Sequence, residues 1–177
     1  ESSLLYKFPA NNLNKKVIDN FSNSKRTVME RIEQITGKTF ELFECDIRDQ
    51  DKLKAIFKTH RPTEVLHLAG VKSVSESITK SSKYMEINLN GTINLLQAMD
   101  EVGCKKIVFS SSAVVYGSFV YLPIDENHPK NPTNPYGQSK LLAEKYIEKW
   151  ATQSPNRSAV VLRYFNPVGA HESGKIG

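Results

Sequence analysis

Lys106-Ile107-Val108-Phe109-Ser110 runs directly into Ser111-Ser112-Ala113-Val114-Val115-Tyr116-Gly117, and the reading of this stretch decides the fold. An apolar, β-branched run without polar alternation is a strand buried on both faces, which is the habit of parallel sheets. The serines and the glycine mark where the chain leaves the sheet. Downstream, a Pro- and Asn-rich loop from Ser118 to Pro135 leads to a helix spanning Asn134 to Thr152, whose buried face is expected to be Leu142, Ala143, Tyr146, Ile147 and Trp150. Ala159 to Arg163 reads as the next strand, and Tyr164 to His171 as a loop beyond its C-terminal end.

The same alternation extends upstream. Lys16 to Asn20 is a short strand ending in an acid, Ser24 to Ile35 a helix stopped by Gly37, and Phe40 to Cys45 a second strand. Asp49 to Thr59 is a helix with Leu53, Ile56 and Phe57 inward, and Glu64 to Ala69 a third strand closed by Gly70. Lys72 to Lys83 is a polar passage, followed by a helix from Tyr84 to Val102 with Ile87, Gly91, Asn94, Leu95 and Met99 at helical spacing. Strands alternating with helices predict an α/β fold, a doubly wound parallel sheet covered on both faces. Glu1 to Asn14 shows a short apolar patch, Leu4 to Phe8, and no periodicity.

Composition excludes several classes. The chain has 177 residues, 39% hydrophobic and 24% charged, which suits one globular domain and neither disorder nor a membrane core. No apolar run approaches the 18 or so residues needed to cross a bilayer, and the N-terminus lacks signal-peptide order, so no membrane and a cytoplasmic location are expected. The net charge of +5 is spread over separate lysines, which argues against nucleic acid and is compatible with a small anionic ligand. Cys45 and Cys104 show neither redox nor metal spacing and are expected to be reduced in the core. His60, His67, His128 and His171 are isolated from one another, so no metal site is expected.

The residues that carry chemistry fall at the carboxyl ends of the strands, where open parallel sheets bind ligands. Tyr136 and Lys140 are four residues apart, on one helical face. Lowering a phenol by roughly 3 pKa units takes about 4 kcal/mol, and a lysine charge about 6 Å away supplies roughly 3 kcal/mol at an effective dielectric of 20. The pair is therefore an acid–base device. Asp19 closes the first strand, and an ionised carboxylate, which only accepts hydrogen bonds, suits a ribose and would repel an added phosphate, favouring NAD over NADP. Asp46, Leu68-Ala69-Gly70, Ser110 to Ser112 and Asn166 close or follow the other strands. Ser112 is placed to donate to or relay from a substrate oxygen, while Ser110 and Ser111 hold backbone. Asn88 reads as a buried amide bracing loops, and Lys72 as either a solvated charge or a contact to an anionic ligand.

Together VIDNFSNSKR (Val17 to Arg26), DIRD (Asp46 to Asp49), VLHLAGVKSVSESITK (Val65 to Lys80), INLNGT (Ile87 to Thr92), KKIVFSSSAVVYG (Lys105 to Gly117), NPTNPYGQSK (Asn131 to Lys140) and LRYFNPVGAHESGKIG (Leu162 to Gly177) resemble the UDP-glucose 4-epimerases, in the extended short-chain dehydrogenase/reductases. The resemblance implies a Rossmann-like NAD-binding domain over residues 16–177, with 1–15 a non-matching segment. It implies that Asp19 and Asn20, with Asn23 and Ser24 nearby, bind the adenosine ribose of NAD, that Asp46 and Ile47 flank the adenine, and that Leu68, Ala69, Gly70, Lys72 and Asn88 line the dinucleotide path. Tyr136 would be the base, Lys140 would hold the nicotinamide ribose, and Ser112 would assist at the sugar 4-hydroxyl. Asn166, with Tyr164 and Phe165, would meet the nucleotide-sugar and nicotinamide. The implied reaction interconverts UDP-glucose and UDP-galactose through a 4-keto intermediate, in galactose metabolism, and a homodimer through helices like Tyr84 to Val102 and Asn134 to Thr152 is left open.

Three departures from the family pattern stand out. The first glycine is Gly37, so the first strand and the glycine-rich turn that cradles the pyrophosphate are lacking; with the central strand gone, the sheet is expected to divide in two. Leu4 to Phe8 cannot replace it, because a parallel crossover needs about a dozen residues. The chain also ends before most of the smaller C-terminal substrate lobe. Val114 stands where the family has threonine, removing a hydroxyl worth about 1 kcal/mol, and Ser81 and Met85 stand where Pro and Tyr are common. A non-catalytic remnant or binding module, or a related nucleotide-sugar dehydratase, are the alternative readings; the YFNPVGAH loop argues against the dehydratase.

Overall fold

The computed structural model describes residues 15–175. The chain divides into two compact units, one of Glu1–Asp46 with Asn166–Gly177 and one of Ile47–Phe165.

In the first unit, β1 (Lys16–Asp19) pairs in parallel with β2 (Glu41–Glu44), placing Lys16 opposite Glu41 and Asp19 opposite Glu44. An ion pair between Lys16 and Glu41 joins the two strands, and one between Arg26 and Glu44 ties the start of the following helix to β2. Helix α1 (Thr27–Thr36) buries Ile32 and ends at Gly37, whose φ of 67° closes the last turn through its N–H to the Glu33 carbonyl. The helix starts at Thr27 and not at Ser24, because the Ser24 hydroxyl is engaged by the Asp19 carboxylate, 3.2 Å from both oxygens.

The second unit holds a parallel sheet of β3 (Glu64–His67), β4 (Lys106–Ser112) and β5 (Ser158–Tyr164) in that order. Val65 lies opposite Ile107 and Ile107 opposite Ala159, and at the far end Ser112 lies opposite Tyr164. Helix α2 (Gln50–His60) precedes the sheet, capped by Asp49, which accepts the Lys52 N–H at 3.1 Å. Between β3 and β4 come α3 (Val74–Thr79), α4 (Ser81–Tyr84), a π-helical turn (Met85–Asn90) and α5 (Gly91–Val102). A 3-10 turn, Ala113–Tyr116, follows β4, and α6 (Pro135–Thr152) leads to β5. The core contains Leu53, Phe57, Leu95, Ala98, Met99, Ile107, Phe109, Ala143 and Ile147. The described strands thus form a pair and a triplet, in keeping with the expected division of the sheet; Leu4 to Phe8 lie outside the described residues. Cys45 and Cys104 are buried, and no described helix is long and apolar enough to cross a membrane.

Two expectations need correction. The polar passage Lys72 to Lys83 is largely helical: Ser73 caps α3 by accepting the Glu76 N–H, and the Glu76 carboxylate accepts from Lys80, Lys83 and Tyr84. Side-chain pairing sustains that helix where apolar periodicity does not. On α6, Leu142 and Tyr146 are exposed, whereas Ser139, Lys140 and Glu144 are buried with Ala143, Ile147 and Trp150. Ala143, Ile147 and Trp150 face inward as expected, but Leu142 and Tyr146 do not, because polar side chains share the inward face.

Candidate active site

Asn134 is extended, and its side chain accepts the Gly137 N–H at 2.9 Å, so α6 opens at Pro135 and presents Tyr136 in its first turn. Tyr136 and Lys140 are 8% and 5% exposed. The Lys140 Nζ donates to the Ser110 carbonyl at 2.9 Å and lies 4.8 Å from the centroid of the Phe109 ring. A carbonyl and an aromatic face both favour a cation, so β4 holds this amine away from water at a fixed point.

Gly70, in the loop after β3, approaches the same amine. A Cβ there would stand 3.4 Å from Lys140 Nζ and 2.8 Å from Asn88 Oδ1, so only glycine lets the loop pass this close. Asn88, 1% exposed in the π-helical turn, accepts the Val71 N–H at 2.9 Å and donates to the Val71 carbonyl and to Ser139 Oγ, each at 3.0 Å. Ser139 in turn donates to the Tyr136 carbonyl at 2.8 Å. Asn88 therefore joins the loop after β3 to the first turn of α6, and π-helical turns recur at such functional positions. Behind it, His67 Nε2 lies 2.8 Å from Thr92 Oγ1, which donates to the Asn88 carbonyl at 2.6 Å. Burial, and then the charge of Lys140, hold His67 down at about 3, leaving the imidazole neutral beside the lysine.

Ser112 ends β4 and accepts the Val114 N–H at 3.3 Å, which leaves its own hydroxyl hydrogen able to donate. Val114 packs on a cluster of Val71, Tyr84 and Tyr136. Tyr136, Lys140, Gly70 and Asn88 thus lie in one connected neighbourhood of a single unit, and Ser112 is tied to Val114, which packs on the Tyr136 cluster. Leu68 and Ala69 are half-buried in the same loop as Gly70, Lys72 is exposed beyond it, and Ile47 is buried, with its carbonyl accepting from Asn94 at 3.2 Å. Tyr164 is half-buried at the end of β5 and Phe165 is 58% exposed.

The remaining expected residues belong to the other unit. Asp19 Oδ1 accepts the Phe21 N–H at 2.7 Å, and Asn20 donates to Asp46 Oδ2 at 2.7 Å. Asn23 and Asn166 are exposed, and Ser24 is half-buried against Asp19. Asp19, Asn20, Ser24 and Asp46 form one polar group at the carboxyl ends of β1 and β2.

Sequence reasoning missed the polar set around Glu144, which takes in Ser111, Arg163 and Tyr116, along with the Ser139 and Thr92 hydroxyls. The signal available was Glu144 following Lys140 by one helical turn; nothing in its composition marks it as buried.

Comparison with known proteins gives a consistent result. The profile of the NAD dependent epimerase/dehydratase family matches residues 4–176. The chain is 48% identical over 168 residues to a UDP-glucose 4-epimerase of Mus musculus, covering 91% of this chain and 48% of that protein. It is 45% identical over 161 residues to the UDP-glucose 4-epimerase of Bacillus subtilis, with 91% and 48% covered. Among solved structures, a UDP-glucose 4-epimerase from Bifidobacterium longum in complex with NAD+ and UDP superposes with a TM-score of 0.87 at 45% identity, covering 90% of this chain and 48% of that one. The chain spans about half the length of the curated relatives it matches.

Proposed function

The chain belongs to the NAD dependent epimerase/dehydratase family, and from that membership we propose that it carries the proton-transfer machinery of a UDP-glucose 4-epimerase, in residues 16–177 of an NAD-binding domain. The observation that carries this reading is the buried Tyr136 and Lys140 pair, with the lysine amine fixed by the Ser110 carbonyl and flanked by Gly70.

The residues fit NAD on two counts. The loop at Gly70 has no room for a Cβ, as expected where backbone passes close to a bound dinucleotide. At the ends of β1 and β2, Asp19 Oδ2 takes only the Ser24 hydroxyl among its described contacts, leaving acceptor capacity for a ribose. Asp19, Asn20, Asn23, Ser24, Asp46, Ile47, Leu68, Ala69, Gly70, Lys72, Asn88, Tyr164 and Phe165 would hold the cofactor, with Lys140 and Tyr136 at its reacting end. Bound NAD would supply reversible hydride acceptance at carbon 4 of the sugar. The chain's own residues handle the proton. Tyr136, as phenolate, takes the proton of the sugar 4-hydroxyl and later returns it. Lys140 favours the phenolate by its charge, and the Ser112 hydroxyl donates to the same sugar oxygen. Asn166 would contact the sugar.

Cys45 and Cys104, buried and without redox or metal spacing, suit a reducing compartment, which supports a cytoplasmic location. The half-apolar groove between α5 and α6, lined by Ile93, Leu96, Tyr146 and Trp150, supports a homodimer. Purified protein carrying this sequence should retain NAD and interconvert UDP-glucose and UDP-galactose, and Tyr136→Phe should lower kcat about a hundredfold to ten-thousandfold with the thermal midpoint little changed. A folded preparation that shows neither NAD retention nor epimerisation would remove the reading.

A further inference from the structure

Glu144 stands on α6 one turn beyond Lys140, and it is 5% exposed. The Ser111 hydroxyl donates to Oε1. Arg163 of β5 donates from Nε to both carboxylate oxygens, at 3.1 and 3.3 Å, and from one terminal nitrogen to Oε2 at 2.9 Å. Its other terminal nitrogen donates to the Tyr116 hydroxyl at 3.0 Å, and its guanidinium lies 5.2 Å from the Tyr116 ring centroid. Tyr116 then stacks on Phe165, with centroids 6.5 Å apart and planes 29° apart.

Stability alone does not account for this arrangement, because a buried ion pair exchanged for apolar residues of similar volume is often neutral or stabilising. Orientation does. A guanidinium sharing two nitrogens with one carboxylate is planar and directional, and every member of the set borders a residue of the site. Ser111 precedes Ser112, Glu144 follows Lys140, and Arg163 precedes Tyr164 and Phe165. The set therefore fixes the end of β5 against α6 and, through Tyr116, the plane of the Phe165 ring. Phe165 remains 58% exposed despite its stack, an aromatic surface with one side open.

We propose that Glu144 and Arg163 are positioning residues that hold the Tyr116 and Phe165 stack as a fixed aromatic surface for a planar ring of the ligand; only the identity of that ligand rests on the epimerase reading.

The test uses the full-length protein carrying this sequence, with para-fluorophenylalanine at Phe165 read by fluorine NMR, beside steady-state kinetics with UDP-galactose. The double variant Glu144→Met with Arg163→Met removes both charges together and leaves no unpaired buried ion. Its fluorine resonance is expected to broaden or split where the parent shows one narrow line, and its KM to rise about tenfold with kcat within about threefold. Tyr116→Phe keeps the ring and removes only the acceptor for Arg163; it should shift the resonance and raise KM about threefold. An unchanged resonance in the folded double variant overturns the proposal whatever the kinetics show. If that variant does not fold, an unchanged resonance and KM in Tyr116→Phe overturn it equally. A parent without epimerase activity whose variants still show the resonance change supports the positioning device and removes the epimerase reading.

Discussion

The rings of Tyr84 and Tyr136 meet edge to face, with centroids 6.2 Å apart and planes at 73°. Tyr84 is fully buried, and its hydroxyl donates to Glu76 at 3.1 Å. Burial and that carboxylate push its phenol above the ordinary range, so it stays protonated and keeps donating. One tyrosine is thereby held as a fixed neighbour of the other.

Tyr84→Ala is expected to cost about 3 to 5 kcal/mol, the range for emptying an aromatic core position. Tyr84→Phe should cost about 1 kcal/mol, since Glu76 keeps Lys80 and Lys83. Urea denaturation separates the two. Equal stabilities would show that the ring fills no essential space.

Asn88→Ala would leave the Val71 N–H and carbonyl without their amide partner. We expect a loss of about 2 to 4 kcal/mol, since each buried unsatisfied group costs about 1 to 3 kcal/mol. Asn88→Asp should also destabilise, because a carboxylate cannot donate to the Val71 carbonyl or to Ser139. Thermal unfolding monitored by circular dichroism reads both, and wild-type midpoints would show that the loop does not depend on this side chain.

His67 is held at about 3 against an ordinary value of 6.5, by burial first and by Lys140 second. As pH falls from 6.5 towards 3, the unfolded chain takes up a proton that the folded protein refuses. Stability present above pH 6.5 is therefore lost on acidification, by at most about 1.4 kcal/mol per pH unit. Glu76, lowered from 4.5 to about 2 by hydrogen bonds from Lys83, Lys80 and Tyr84, acts in the same direction but only below pH 4.5. The interval from pH 6.5 to 4.5 separates His67 from Glu76. Urea midpoints across it should flatten in His67→Gln; an equal slope in both proteins would place the titration elsewhere.

Val114 packs against the Tyr136 cluster with a methyl at the position where the family resemblance leads to an expected threonine hydroxyl. Val114→Thr should raise kcat/KM for UDP-galactose about fivefold, equivalent to one hydrogen bond of about 1 kcal/mol. Unchanged or lower kcat/KM in a folded variant would show that this position makes no polar contact in the reaction.

The strands and most helices were legible because period and punctuation are local properties. Asp49 and Gly37 mark ends by their own hydrogen-bonding and φ preferences. Tyr136 and Lys140 were legible for the same reason, since a spacing of four on a helix needs no partner to interpret. Val74–Thr79 was not read as a helix, because its stability comes from side-chain pairs to Glu76 that composition does not announce. The inward face of α6 was misread for the converse reason: burial of Ser139, Lys140 and Glu144 depends on acceptors and donors brought by β4, β5 and the π-helical turn.

By itself, then, the sequence determined the α/β alternation, the absence of any glycine before Gly37 and the placing of Tyr136 and Lys140 on one helical face. Only the tertiary structure decided how the pair is held: Gly70 passing beside the Lys140 amine, Asn88 joining the β3 loop to α6, and Arg163 gripping Glu144. The physical reason is range. Helical spacing and capping act over a few residues, whereas each of these polar contacts joins positions at least 17 residues apart in the chain, and its partner exists only once the sheet has brought the elements together.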